Sequence, residues 1–163
     1  MKVFEKILTK LEDILHLGGC LGLIAVAVLI NGDILLRLFF NRPVQIQFEL
    51  TELFLMPAVA TLSLSRVFRD GGHLALDFMP DRWPGGLGRV IAKIRLLLPA
   101  AFFAALTWMS GKFALKAIAH GEIEYGVIDW PLGWAYALIP LGCGVLVLRL
   151  LHDALREGAL EQT

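Results

Sequence analysis

Long apolar runs are the feature that most constrains what this chain can fold into. Residues 130–148 form a run of 19 residues without one Asp, Glu, Lys or Arg, and three other apolar runs precede it. About 20 mostly apolar residues are enough to cross the hydrocarbon core of a bilayer as an α-helix. Four such runs in 163 residues exceed what one soluble domain buries in its core. The sequence therefore predicts an all-α integral membrane protein with four transmembrane helices.

The spans are predicted at residues 14–40, 48–68, 94–119 and 130–151, within a single membrane domain that covers residues 1–163. Hydrophobic residues make up 57% of the chain and charged residues 18%, whereas soluble proteins contain about 45–50% and about 25%. The formal net charge is zero, so the charge balance does not indicate a nucleic-acid partner. Cys20 and Cys143 both lie inside apolar runs, which favours buried thiols over a disulfide framework.

Two further segments are predicted to be amphipathic helices at the membrane surface. In residues 1–13, apolar side chains recur at helical spacing, and the alternative is that this segment simply extends the first span. The connector at residues 69–93 keeps apolar side chains among its charges, so we expect it to dip into lipid or to dock on a membrane partner. Gly71 is expected to end the second helix, and Pro99 is a plausible bend in the third.

The distribution of Lys and Arg predicts the orientation. Eleven of the 15 basic residues lie in the N-terminal tail, in the connector and its flanks, or at the C-terminal end, and four lie on the other side. Because loops rich in Lys and Arg stay in the cytoplasm, both termini and the connector are expected there.

The histidines argue against a haem or metal protein. His16, His73, His120 and His152 all fall at predicted membrane edges, whereas the axial ligands of a haem anchor lie within its spans. His73 and Asp77 are four residues apart and can meet on a helix, but two ligands do not make a metal site. No serine triad, phosphate-binding glycine loop or intramembrane carboxylate pair is present, so neither an enzyme nor a cofactor is predicted.

Six charged residues are expected at similar depth near the outer side. Asp33 and Arg37 are spaced for a pair on one helix face, and the layer also includes Glu49, Glu52, Lys112 and Lys116. Charges inside a membrane are functional candidates by default, but mutual pairing and snorkelling of the lysines are the simpler interpretation. A solute path would typically show an unpaired polar residue at mid-span or an inverted repeat. The sequence shows neither. The pattern favours an accessory subunit of a larger complex over a protein that transports a solute by itself.

The outer segment at residues 120–134 combines acidic with aromatic residues. Its acidic members are Glu122, Glu124 and Asp129. Asp129 is expected to cap the fourth helix, with Pro131 in the first turn.

Taken in order along the chain, these motifs resemble a known family. The connector begins with Arg69, Gly71, Gly72, His73, Leu74, Leu76 and Asp77, and the fourth span carries Trp130, Pro131, Tyr136, Ile139, Pro140, Leu141, Gly142 and Arg149. Arg37 stands near the end of the first span. This pattern, over about residues 10–155, resembles the small membrane subunit of tripartite ATP-independent periplasmic (TRAP) transporters.

The resemblance implies a four-helix protein of the bacterial inner membrane. Its partners would be a large multi-span transporter subunit that carries sodium-coupled machinery, and a periplasmic substrate-binding protein that delivers an organic acid anion. The small subunit would enlarge the static scaffold and contact membrane lipid, with no sodium or substrate ligand of its own. Candidate residues for the subunit interface are Arg37, Glu49, Glu52, Arg69, His73 and Asp77. Candidates for docking of the binding protein are Glu122, Glu124 and Asp129.

Two other functions remain as alternatives at this point. One is a stand-alone homo-oligomeric channel that uses the layer of Asp33, Arg37, Glu49 and Glu52. The other is the anchor subunit of a membrane oxidoreductase, which the placement of the histidines disfavours.

Overall fold

Three long helices and one span built from short helical pieces dominate the structure. It is a computed structural model that describes residues 2–71 and 86–160, with side chains described at residues 4–71 and 96–155. Four helical segments are long and apolar enough to cross a membrane: Phe4–Phe40, Ile46–Arg69, Leu96–His120 and Leu132–Leu155. This confirms the predicted all-α fold with four transmembrane helices. Two of the candidate site residues, His73 and Asp77, lie outside the described residues.

Helix α1 is a single element, Lys2–Phe40. Its 39 residues extend about 58 Å at about 1.5 Å per residue, well beyond a hydrocarbon core of about 30 Å. Residues 2–13 belong to this same helix, as the extension alternative requires, and their location at the membrane surface stays a prediction. The helix ends before Asn41, whose φ of 51° lies in the left-handed region that Asn tolerates better than most residues.

The second span is assembled from four short pieces. They are α2 (Ile46–Leu50), a π-helical turn (Thr51–Leu55), α3 (Met56–Leu62) and α4 (Leu64–Arg69). Pro57 has no backbone N–H to donate to the preceding turn. This explains why the regular α-helical hydrogen-bond pattern starts anew at the beginning of α3. Gly71, with φ of 75°, follows the span and confirms the predicted helix stop.

The third and fourth spans belong to the two remaining long helices. Helix α5 is Gly86–His120 and contains Pro99, and helix α6 is Leu132–Leu160 and contains Pro140. The N-terminal part of α1 meets the C-terminal parts of α4 and α6, and we call this the terminal end of the molecule. The opposite end, which carries residues 41–45 and 121–131, is the loop end.

The helices pack in the order α1, second span, α6, α5. Small residues allow the backbones to approach closely, as is usual between transmembrane helices. A Cβ atom at Gly19 would overlap the Ser63 hydroxyl, and one at Gly142 would overlap the backbone of Thr61. These glycines therefore set the crossings of α1 and α6 with the second span.

The hydrophobic core of the described residues is small. Leu96 and Ala100 of α5 pack against Leu146 and Leu150 of α6, each at most 6% exposed. Large apolar side chains cover the outside of all four spans, and a bilayer or a membrane partner is the environment in which such a surface is stable.

A short hairpin closes the loop end between α5 and α6. Strand β1 (Ile123–Glu124) pairs antiparallel with β2 (Trp130–Pro131). Helix α6 begins only at Leu132, so the expected capping by Asp129 is wrong. The backbone N–H of Leu132 donates to the carbonyl of Glu122 at 3.1 Å, so this strand partner takes the place of a side-chain cap.

Candidate functional site

The terminal end contains a buried carboxylate of α1 in contact with two other helices of the chain, α4 and α6. Glu12 of α1 has no exposed surface. Its Oε1 accepts a hydrogen bond of 2.8 Å from the Ser65 hydroxyl, and its Oε2 accepts one of 2.7 Å from Arg69 Nη1. Arg149 Nη1 of α6 lies 3.8 Å from the same Oε2. The charge of Glu12 is therefore compensated by two guanidinium groups and one hydroxyl, as a buried carboxylate requires.

Further ion pairs lie around Glu12 on the exposed side. Asp13 lies 2.6 Å from Arg66 Nη1 and 2.8 Å from Arg69 Nη2. Asp70 accepts a hydrogen bond of 3.1 Å from Arg66, and this contact holds the pKa of Asp70 below its usual value. On α6, Arg149 pairs with Asp153 at 3.2 Å. We call these residues together with Glu12 and Ser65 the Glu12 network.

The Glu12 network was not predicted, although one of its members, Arg69, was a candidate for the subunit interface. The sequence pattern places Glu12 and Asp13 in a predicted surface helix, and Arg149 belongs to the family pattern. A signal was present: two acids precede the first span, and Arg66 and Arg69 end the second, so two antiparallel neighbours bring them to the same end. Arg69 is thus engaged inside the chain, and any contact with another subunit stays a prediction.

At the loop end, Asp33 and Arg37 form the ion pair that their spacing predicts. Arg37 Nη2 lies 2.8 Å from Asp33 Oδ2, and the backbone N–H of Val44 donates to Asp33 Oδ1 at 2.7 Å. The Asp33 side chain is 9% exposed, but that of Arg37 is 63% exposed. Asp33 therefore fixes the turn between the first two spans, while much of the Arg37 guanidinium remains available to another molecule.

Glu49 holds the hairpin onto the second span. Its carboxylate accepts 2.8 Å and 2.9 Å hydrogen bonds from the backbone N–H of Val127 and from Trp130 Nε1. The Trp130 ring also lies 5.5 Å from the ring of Phe54. A Cβ atom at Gly126 would overlap the carboxylate, so glycine there permits its close approach. Glu49 was expected to pair with a base, and its actual partners are neutral N–H donors of the hairpin.

Glu52 differs from the other acids of the layer, because no hydrogen bond or ion pair of its side chain occurs within the described part of the chain. It is exposed on the second span between exposed Phe48 and Met56, each four residues away. Thr51 beside it is buried, and its hydroxyl has no partner within residues 4–71 and 96–155. Glu52 is thus a carboxylate on an apolar outer surface, where a charge is unfavourable unless something compensates it.

The three docking candidates lie on or beside the hairpin. Glu122 lies 4.0 Å from Lys116 Nζ, while Glu124 and Asp129 are exposed. Tyr125, 80% exposed, lies in the same loop. The structure brings these acids to one end of the molecule, together with exposed apolar side chains.

No group of three or more His, Cys, Asp or Glu residues is arranged to hold a metal ion among the side chains that the structure describes. Cys20 and Cys143 are free thiols. Lys112, the remaining member of the outer layer, lies with its ammonium 5.1 Å from the ring centre of Trp108.

Comparison with known proteins supplies the identity. No curated protein and no solved structure shows significant similarity to the chain. The family described as tripartite ATP-independent periplasmic transporters, DctQ component, matches residues 26–159, which covers most of the chain and the second, third and fourth spans. This agrees with the four membrane-crossing helices and with the family resemblance of the motifs. The chain therefore belongs to the DctQ family, the small membrane components of tripartite ATP-independent periplasmic transporters.

Proposed function

We propose that this chain is the static scaffold subunit of a sodium-coupled TRAP transporter that imports an organic acid anion, and that it has no catalytic activity of its own. The observation that carries the proposal is the Glu12 network. Because a buried charge tolerates no loss of its partners, the network supports a fixed arrangement of α1, α4 and α6 at the terminal end. A fixed arrangement suits a scaffold, and the moving machinery then belongs to the large subunit.

The large subunit docks, in this proposal, on the face of the second span that carries Glu52. Three exposed side chains at four-residue intervals, Phe48, Glu52 and Met56, form this face. A basic side chain from a helix of the large subunit would compensate the Glu52 carboxylate, because an unpaired charge against lipid is costly. Arg37, with its exposed guanidinium, is the second candidate contact.

The periplasmic binding protein docks on the hairpin at the loop end. Two observations support this part of the proposal. The acids Glu122, Glu124 and Asp129 lie together with exposed Tyr125, and the hydrogen bonds from Val127 and Trp130 to Glu49 hold the hairpin in place. A preformed loop loses little conformational freedom on binding, which favours association.

The orientation completes the proposal. The terminal end faces the cytoplasm and the loop end faces the periplasm of a bacterial inner membrane, because eleven of the 15 basic residues lie at the terminal end or in the adjoining connector.

The test uses two charge reversals that serve as controls for each other. Glu52→Lys should lower recovery of the large subunit in copurification by on the order of tenfold, because it places a like charge against the partner. Glu124 is another exposed acid, on the hairpin. Glu124→Lys should leave copurification unchanged but raise the concentration of binding protein needed for half-maximal uptake. If both variants assemble and transport like the wild type, the proposed docking faces are wrong.

The stand-alone channel is the rival function. Three of the four residues on which that hypothesis depends, Asp33, Arg37 and Glu49, are engaged in contacts within the chain. Ion currents from the purified chain alone in liposomes would favour the channel, and their absence together with a copurifying permease would favour the scaffold.

A further inference from the structure

We propose that the groove between α5 and α6 is a binding site for one glycerophospholipid, with an acyl chain in the groove and its phosphate on Lys112. The groove measures about 640 Å³, and none of its lining residues comes from α1 or the second span. It is therefore separate from the Glu12 network, from the Glu52 face and from the hairpin. This inference does not depend on the proposed docking of other subunits.

The walls of the groove suit an acyl chain. Gly111 of α5 and Gly144 of α6 leave space, and Pro140, Val145 and Leu148 supply apolar surface. Gly111 and Pro140 do not close on one another tightly: a Cβ atom at Gly111 would lie 3.9 Å from the Pro140 Cβ, at ordinary contact distance. The groove is thus an open space on the apolar outer surface of two packed helices. In a bilayer, the molecules present there at high concentration are lipids.

Lys112 identifies the kind of lipid group that occupies the upper part of the site. It lines the groove and is exposed, and it has no ion pair within residues 4–71 and 96–155. Its position is eight residues before His120 at the end of α5, or about 12 Å below that end. A lysine at this depth extends its ammonium towards the headgroups, where phosphate is the complementary anion.

Trp108 fixes the direction of the lysine and gives the site a built-in reporter. The Lys112 ammonium lies 5.1 Å from the centre of the Trp108 ring, within the range of a cation–π contact. Trp108 itself lines the groove and is 67% exposed. An acyl chain in the groove therefore lies against an indole whose fluorescence is measurable.

The test measures lipid retained by the full chain, purified together with any membrane protein that accompanies it. The sample is delipidated and then supplied with phosphatidylglycerol that carries brominated acyl chains. Native mass spectrometry counts the retained lipids, and the difference in fluorescence quenching between the wild type and Trp108→Phe locates them. The wild type should retain one lipid per chain and show quenching of Trp108.

Three variants separate this site from nonspecific lipid. Lys112→Gln should lower retention about fivefold, the effect expected for one basic residue facing anionic lipid. Gly111→Leu should abolish retention by filling the groove, and its Cβ atom would lie at ordinary contact distance, 3.9 Å, from the Pro140 Cβ. Lys116→Gln is the matched control: Lys116 lies one turn further along α5, is exposed and does not line the groove, so retention should be unchanged.

Two results would overturn the proposal. Equal retention in the wild type, Lys112→Gln and Gly111→Leu would show that the groove does not select a lipid. The second result is that brominated lipid quenches Trp108 fluorescence in the isolated chain but not in the purified complex. That result would show that a helix of another subunit occupies the groove instead.

Discussion

The Glu12 carboxylate accepts a 2.7 Å hydrogen bond from Arg69, 57 residues further along the chain. This contact joins the start of α1 to the end of the second span, and Arg149 brings α6 to the same carboxylate. The terminal end is therefore held by charge and not only by the small apolar core. Its stability depends on every partner being present, because a buried charge left unpaired is strongly unfavourable.

Replacing Glu12 tests this dependence. Glu12→Ala should lower the free energy of unfolding by about 3–5 kcal/mol, because it leaves Arg69 and Arg149 without their shared buried partner. Thermal or denaturant unfolding of the purified chain in detergent measures the change. Asp13→Asn is the control, since the Asp13 side chain is 46% exposed and its loss should cost much less than the loss of Glu12. Equal losses in the two variants would contradict the assigned role of Glu12.

The contact between Glu49 and the hairpin gives a second prediction. Glu49→Gln removes the negative charge from the side chain that accepts hydrogen bonds from the Val127 amide and from Trp130. The hydrogen-exchange rate of the Val127 amide should therefore rise by on the order of tenfold. Gly126→Ala should act in the same direction, because a methyl group there overlaps the carboxylate. Glu124→Gln serves as the control, as its exposed side chain makes no such contact. Unchanged exchange in both Glu49→Gln and Gly126→Ala would mean that another contact holds the hairpin.

Arg37 provides a third prediction, which concerns assembly. Arg37→Glu places a second carboxylate beside Asp33 and removes an exposed guanidinium, so recovery of the large subunit should fall severalfold. Arg42→Glu reverses an exposed arginine in the adjacent turn and should assemble normally. Copurification of the two variants under the same detergent gives the comparison. If Arg37→Glu is recovered as completely as Arg42→Glu, Arg37 contributes nothing to the interface.

The sequence predicted those features that depend on local pattern. The apolar runs predicted the four spans, and the structure confirms them. The i, i+4 spacing of Asp33 and Arg37 predicted their ion pair, and Gly71 predicted the end of the second helix; the structure confirms both. Each of these follows from residues that are close in the chain or from solvent preference alone. The family resemblance was confirmed as well, because order and spacing of motifs survive without knowledge of contacts.

The features that the sequence did not predict depend on contacts between distant segments. Glu12 finds its partners 53 or more residues away, and nothing local to it distinguishes a buried carboxylate from a surface one. Glu49 was expected to meet a base, but its partners include the backbone N–H of Val127, which carries no signal in a sequence. Asp129 was expected to cap α6, but the hairpin delays the start of that helix to Leu132.

Copurification of the tagged chain from native membranes in a mild detergent, followed by mass analysis of the complex, tests the central claim most directly. The account predicts a stable complex with a much larger multi-span membrane protein, and loss of that protein in Glu52→Lys but not in Glu124→Lys. Recovery of the chain only as copies of itself, with ion currents in liposomes, would contradict it.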